Sequence, residues 1–138
     1  MKKTTELLNE LNRTSNIDKY LKDNRDSLID CTLANYLCKV FEERGLAKAD
    51  VIRNSDVNEI YGYQILGGKR IPSRDKTICL CIGAEFSVDD TNLTLKVGGY
   101  APLYAKSPRD SIIIYGIQKS YTVWQINEEL FSHQLETL

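Results

Sequence analysis

The chain has 138 residues, with 18 Lys+Arg against 19 Asp+Glu, a formal net charge of -1, and 42% hydrophobic and 27% charged residues. Those proportions suit an ordinary soluble globular protein that can bury a core without disulfides or metal, and the overall charge gives no basic footprint of the kind nucleic-acid binders usually carry. No apolar run approaches the roughly 20 residues of a membrane span, and the opening MKKTTELLNE lacks the apolar core of a signal peptide, so a reducing cytoplasm is the natural reading.

Taken in order, the chain reads as helices joined by short punctuated loops. Leu7, Leu8, Leu11 and then Ile17, Tyr20, Leu21 are spaced for two short amphipathic helices over 4–24, broken at Thr14-Ser15-Asn16. A helix over 32–44 presents Leu33, Tyr36, Leu37, Val40 and Phe41 on one face and stops at Gly45. Two short elements follow, 47–54 and 57–66, the second ended by Gly67-Gly68. Ser73 caps a helix over 73–83, and Ser87 with Asp90 forms a near capping box for the next, which ends at Gly98-Gly99. The run Ser111-Ile-Ile-Ile-Tyr115 has strand propensity, but Ser107-Pro108-Arg109-Asp110 is a helix start with proline at its first position, so 108–117 is predicted helical. The last helix, 122–132, places Val123, Ile126, Leu130 and Phe131 on its inner face. The prediction is an all-α chain of eight or so short helices.

Cys31, Cys38, Cys79 and Cys81 contain no CxxC pair, and His133 is the lone histidine. Zinc needs four converging ligands; Cys79 and Cys81 lie on opposite sides of a helix. They read as buried free thiols, with no metal and no cofactor. There is no Ser/His/Asp set, no phosphate-cradling Gly-rich loop and no HExxH, so an enzyme is not expected. The charge is uneven: residues 45–76 carry six basic against four acidic side chains, a balance of +2, whereas 77–138 carry four against seven, a balance of -3.

The informative stretch is Gly45 to Ser73, two short helices with a tight turn between them followed by Gly68-Lys69-Arg70-Ile71-Pro72-Ser73. With Leu46, Val51, Val57 and Ile65 at the matching spacing, residues 33–99 resemble the Cro/lambda-repressor family, the XRE family of bacterial transcriptional regulators. A more particular likeness is to a subgroup from Gram-positive bacteria, carried by Tyr-Gly-Tyr-Gln-Ile at 61–65, Ala-Pro-Leu-Tyr at 101–104 and a C-terminal helical pair. The resemblance implies an N-terminal helical extension (1–31), a lambda-repressor-like helix-turn-helix DNA-binding domain (32–104) and a C-terminal pair (105–138) packed on the core or used for dimerisation. It implies a recognition helix over 57–67 in the major groove, with base-reading positions at Asn58, Glu59, Ile60, Tyr63, Gln64 and Gly67. Gln64 can pair bidentately with adenine, and Glu59 can accept from cytosine. Asn58 doubles as helix cap. Lys48, Lys69, Arg70 and Arg74 fall where phosphate contacts give affinity and register.

Four positions depart from the family pattern. Ile52 stands where a small residue is preferred, Asp56 where glycine is, and Ser55 and Gly62 where large aliphatics are. Asp tolerates the left-handed turn better than most residues, and Tyr61 or Tyr63 is expected to fill the room left by Gly62. Plainer roles stand beside these: Tyr61 and Tyr63 as core, Lys69, Arg70 and Arg74 as a solvated loop, Lys96, Lys106, Lys119 and Glu42-Glu43 as surface, Asp89-Asp90 as capping, Trp124 as core or dimer contact, His133 as idle. The expected function is a sequence-specific DNA-binding transcriptional regulator, a repressor, bound to double-stranded DNA as a homodimer with half-sites about one helical turn apart. The alternative is a protein-interaction adaptor on the same scaffold, favoured by the near-neutral charge, Glu59 and the tyrosines.

Overall fold

The structure, a computed structural model, describes residues 2–24 and 32–138. Cys31 and residues 25–30 of the N-terminal extension lie outside the described residues. Among those described, the chain is all-α: α1 (Thr4–Arg13), α2 (Ile17–Asp23), α3 (Leu33–Glu43), α4 (Lys48–Asn54), α5 (Glu59–Leu66), α6 (Arg74–Gly83), α7 (Val88–Val97), α8 (Pro108–Gln118) and α9 (Val123–Ser132). Among the described residues no helix is long and apolar enough to cross a membrane. The isoleucines of 112–114 are helical, because Ser107 accepts from the Asp110 amide at 3.2 Å and Pro108 starts the first turn.

The chain divides into two compact units, Met1–Asp30 and Cys31–Leu138. In the first, Asn16 caps α2 by accepting from the Lys19 amide at 3.2 Å. Among its described residues, Tyr20 and Asn24 are buried. Asn24 donates to Glu10 at 3.0 Å and accepts from Lys2 at 2.6 Å, and Lys2 pairs with Glu10 at 2.7 Å.

The second unit is organised around α6. Every residue from Thr77 to Gly83 is buried, the signature of a helix enclosed on all sides. Leu80, Cys81 and Ala84 face one core, shared with Leu37 and Phe41 of α3, Val51 and Ile52 of α4, and Ile65 and Leu66 of α5. Ile78, Cys79 and Ile82 face a second core, shared with Leu95, Ile113, Val123, Ile126 and Leu130. The two cysteines therefore sit on opposite sides of α6. Burial pushes their thiols up to about 11 for Cys79 and about 12 for Cys81, so both stay protonated and unreactive near neutrality. Phe131 departs from its predicted inner position: it is 77% exposed, on the same side of α9 as Trp124, which is 66% exposed. Residues seven apart share a helix face, and Ile126 and Leu130 already fill the inner one.

Helix ends follow one rule. Each helix from α3 to α9 is followed by a residue with positive φ: Gly45, Asp56, Gly68, Glu85, Gly99, Ser120 and Gln134. In all but α4 the next amide closes a Schellman loop, as Leu46 N–H does to the Phe41 carbonyl at 2.8 Å and Phe86 N–H to Cys81 at 3.0 Å. Buried hydroxyls are satisfied locally: Ser55, Thr77, Thr91 and Thr94 each donate to the carbonyl four residues back. No buried side-chain polar atom among the described residues lacks a partner.

Two reciprocal ion pairs fasten α8 to α6. Arg74 grips Asp110 through both terminal nitrogens, at 3.2 and 2.9 Å, while Arg109 grips Asp75 at 3.0 and 3.0 Å. Each arginine also holds a chain segment: Arg74 donates to the Ala101 and Pro102 carbonyls at 3.0 and 3.2 Å, and Arg109 to those of Glu136 and Thr137 at 2.8 and 3.1 Å. The Asp75 carboxylate raises the Arg109 pKa above its ordinary value.

Candidate nucleic-acid interface

α4 and α5 are short and lie against each other through one unusual contact. A Cβ placed on Gly62 of α5 would sit 2.8 and 2.9 Å from the Ile52 side-chain carbons of α4. The two positions expected to be atypical, Ile52 and Gly62, thus meet in one contact, the large side chain on α4 lying over the bare glycine on α5. The room at Gly62 is filled by Ile52, not by a tyrosine. Tyr61 lies partly buried between the two cores, and Tyr63 points outward, 44% exposed.

A second close approach explains Ser55. A Cβ on Gly83 of α6 would fall 2.0 Å from the Ser55 hydroxyl oxygen and 2.5 Å from the Val51 carbonyl. A large aliphatic at 55 has no space there. The Ser55 hydroxyl is fully buried and donates to Val51 at 2.5 Å. Asp56 then takes φ of 55° and turns the chain, Val57 drops into the second core, and Asn58 starts α5 by accepting from the Tyr61 amide at 3.1 Å.

The inner face of α5 is Gly62, Ile65 and Leu66, all buried. At 3.6 residues per turn this leaves Glu59, Ile60, Tyr63 and Gln64 as one outward stripe. Glu59, Ile60 and Tyr63 are exposed, Ile60 at 70%, and Gln64 is half-buried. Asn58 uses its side-chain oxygen on its own helix, which leaves only the amide group of that side chain outward. Gly67 is exposed at the C-terminal end of the stripe.

Lys69 and Arg70 are held close to that stripe by their backbone. Both amides donate to the Gln64 carbonyl, at 2.9 and 3.2 Å, and Gly68 at φ of 76° supplies the turn that brings them round. The loop is braced from below by the Tyr100 hydroxyl, which donates to the Pro72 carbonyl. Lys48, Lys69 and Arg70 are exposed and hold no side-chain partner among the described residues.

Arg74 is a correction. All of its guanidinium nitrogens are engaged, by Asp110 and by two carbonyls, so it is a fastening of the fold and leaves the set of free cations. Asp50 does not confront the stripe with a bare charge, since it pairs with Arg53 at 2.7 Å. Ile71, between Arg70 and Pro72, is 86% exposed. An apolar residue inside a basic turn is the sequence signal for it.

No protein-family model, no curated protein and no solved structure matches this chain. Chemically, a convex helix stripe with one amide, one carboxylate and two apolar side chains, flanked by unpaired cations, can present hydrogen-bonding and van der Waals groups to a grooved, anionic surface. Among the described residues no group of three or more His, Cys, Asp or Glu is placed to hold a metal ion.

Proposed function

We propose that the chain is a sequence-specific DNA-binding transcriptional regulator of the Cro/lambda-repressor kind, reading the major groove with the outward stripe of α5. The observation that carries the reading is the selective freedom of Arg70. Of the arginines in the second unit, Arg44, Arg53, Arg74 and Arg109 are each paired with a carboxylate, whereas Arg70, beside the C-terminus of α5, is not. Lys69 adjoins it and Lys48 stands at the first turn of α4. Phosphate contacts from such positions fix register, and Gln64 with Ile60 reads base edges, the amide on adenine and the aliphatic on a thymine methyl. A palindromic site would be read by two copies of the chain.

The test is binding to the DNA upstream of the chain's own gene, against a scrambled duplex of equal length, over a range of salt. Arg70→Ala should weaken binding to all sequences and lower the salt slope by about 1, and Gln64→Ala should relax preference at one base position. Stoichiometry should be two chains per duplex. If neither substitution changes DNA affinity, the contact assignment is wrong.

A second reading is favoured by the composition of the stripe itself. Glu59, Ile60 and Tyr63 form an acidic and apolar strip that would serve equally as the contact of a protein-interaction adaptor. Absence of DNA binding even at low salt would favour that reading.

A further inference from the structure

Away from the α5 stripe, the second unit has a groove of about 680 Å³ where the ends of α4 and α6 meet the turn between α8 and α9. That volume lies within the range of small-molecule sites. Its walls mix polar side chains with apolar and aromatic ones, the latter being Phe86 after α6, Ile117 of α8, Tyr121 in the turn and Trp124 of α9. Phe86 is buried and fixed against Phe41 at 6.2 Å between ring centroids, and Tyr121 is fixed edge-on to Tyr115 at 5.9 Å. Trp124 remains two-thirds exposed, an indole with no partner on its outer side.

The charged groups of the groove are two carboxylates and one guanidinium. Asp56 and Glu85 both line it, both are exposed, and neither carboxylate has a partner among the described residues. The cation at the rim, Arg53, is turned to Asp50 at 2.7 Å. At the α9 N-terminus, Thr122 and Gln125 close a capping box that takes up both of their amides. A ligand entering here meets aromatic faces and two uncompensated carboxylates. Aromatic rings and carboxylates share one preferred partner, an organic cation, drawn by the ring quadrupoles and by charge.

We propose that this groove binds a small organic cation, an ammonium group carried on an apolar or aromatic body, with the ammonium at Asp56 and Glu85 and the body against Trp124, Tyr121 and Ile117. The site lies apart from the α5 stripe and is independent of the DNA reading.

Trp124 is the single tryptophan of the chain, so its emission reports on the groove alone. Phenethylamine is titrated into the full chain, beside 2-phenylethanol as the neutral isostere and 3-phenylpropionate as the anionic one, with DNA absent. Expected is a saturable change in Trp124 emission with phenethylamine, at least tenfold tighter than with the alcohol, and none with the acid. In the double variant Asp56→Asn/Glu85→Gln, whose asparagine tolerates the left-handed turn, phenethylamine binding should weaken at least tenfold. No saturable change with the amine, equal binding of amine and alcohol, or an unaltered affinity in a folded double variant would each overturn the proposal.

Discussion

Arg70 and Arg74 lie one helical turn's length apart in the chain and have opposite fates. Arg74, at the first position of α6, is held by a carboxylate that is only 10% exposed and by two carbonyls. Arg70 precedes the helix and faces solvent with no partner among the described residues. Residue type and proximity in sequence made the two look alike. The difference lies 36 residues away, at Asp110. A cation becomes structural when a distant element brings it an acid, and stays available for a ligand when none does.

The contrast predicts a large asymmetry in stability. Removing one partner of a buried ion pair leaves the other charge uncompensated, at about 3–5 kcal/mol. Arg74→Ala strands Asp110 and frees the 101–104 turn, so a loss near the lower bound, about 3 kcal/mol, is expected. Arg109→Ala should cost less, about 1.5–2 kcal/mol, since Asp75 is 31% exposed and water can replace the guanidinium. Arg70→Ala should stay within about 0.5 kcal/mol. Urea unfolding of the three variants checks the order; equal losses for Arg70→Ala and Arg74→Ala would erase the distinction.

The two faces of α5 repeat the contrast at the level of packing. The outer stripe tolerates change, whereas the inner face is fitted to Ile52. Gly62→Ala alone adds a carbon 2.8 Å from Ile52 and should destabilise by about 1–3 kcal/mol as overpacking. Ile52→Ala alone opens a cavity at about 2–5 kcal/mol. In the Ile52→Ala background the sign at 62 should reverse: the added Cβ now has room, and alanine is preferred to glycine in a helix by about 1 kcal/mol. A double-mutant cycle reads that reversal directly, and additive losses would show that the helices do not meet there.

Much of the fold was legible because its signals are local. Gly45, Gly67-Gly68 and Gly98-Gly99 mark three helix ends, and Ser73, Ser87 and Pro108 mark three starts. The ends at Glu85, Ser120 and Gln134 use the same left-handed residue without glycine, so composition did not announce them; what they share is an apolar residue next in line, Phe86, Tyr121 and Leu135, which closes the Schellman loop. Opposite placement of Cys79 and Cys81 followed from helical period alone. Phe131 did not, because an apolar residue one step off the inner face reads as core until the neighbouring helix is in place. In the candidate interface the outward stripe was legible from period, and the meeting of Ile52 with Gly62 was visible as two oddities but not as one contact. Arg74 was misplaced because its partner lies beyond any local window.

A third arginine, Arg44, lies between those extremes. Arg44 pairs with Asp90 at 3.0 Å and lies 4.9 Å over the Phe86 ring, yet both charged side chains are at least one-third exposed. The hydrogen bond from Arg44 holds the Asp90 carboxyl below the usual carboxylate range, with Ser87 adding to the effect. A carboxyl lowered on folding contributes stability above its unfolded pKa of about 3.9, and that contribution disappears as pH falls through the folded value. For an exposed pair it amounts to about 0.2–1 kcal/mol and is screened by salt. The difference in unfolding free energy between the parent chain and Arg44→Gln should therefore be flat above about pH 5 and narrow below about pH 4. Part of it should survive in acid, because losing the guanidinium also removes the contact with Phe86, which does not titrate. A difference that is the same at pH 3 and pH 7 would assign Arg44 wholly to that ring and make it a packing residue, closer in kind to Ile52 than to Arg74.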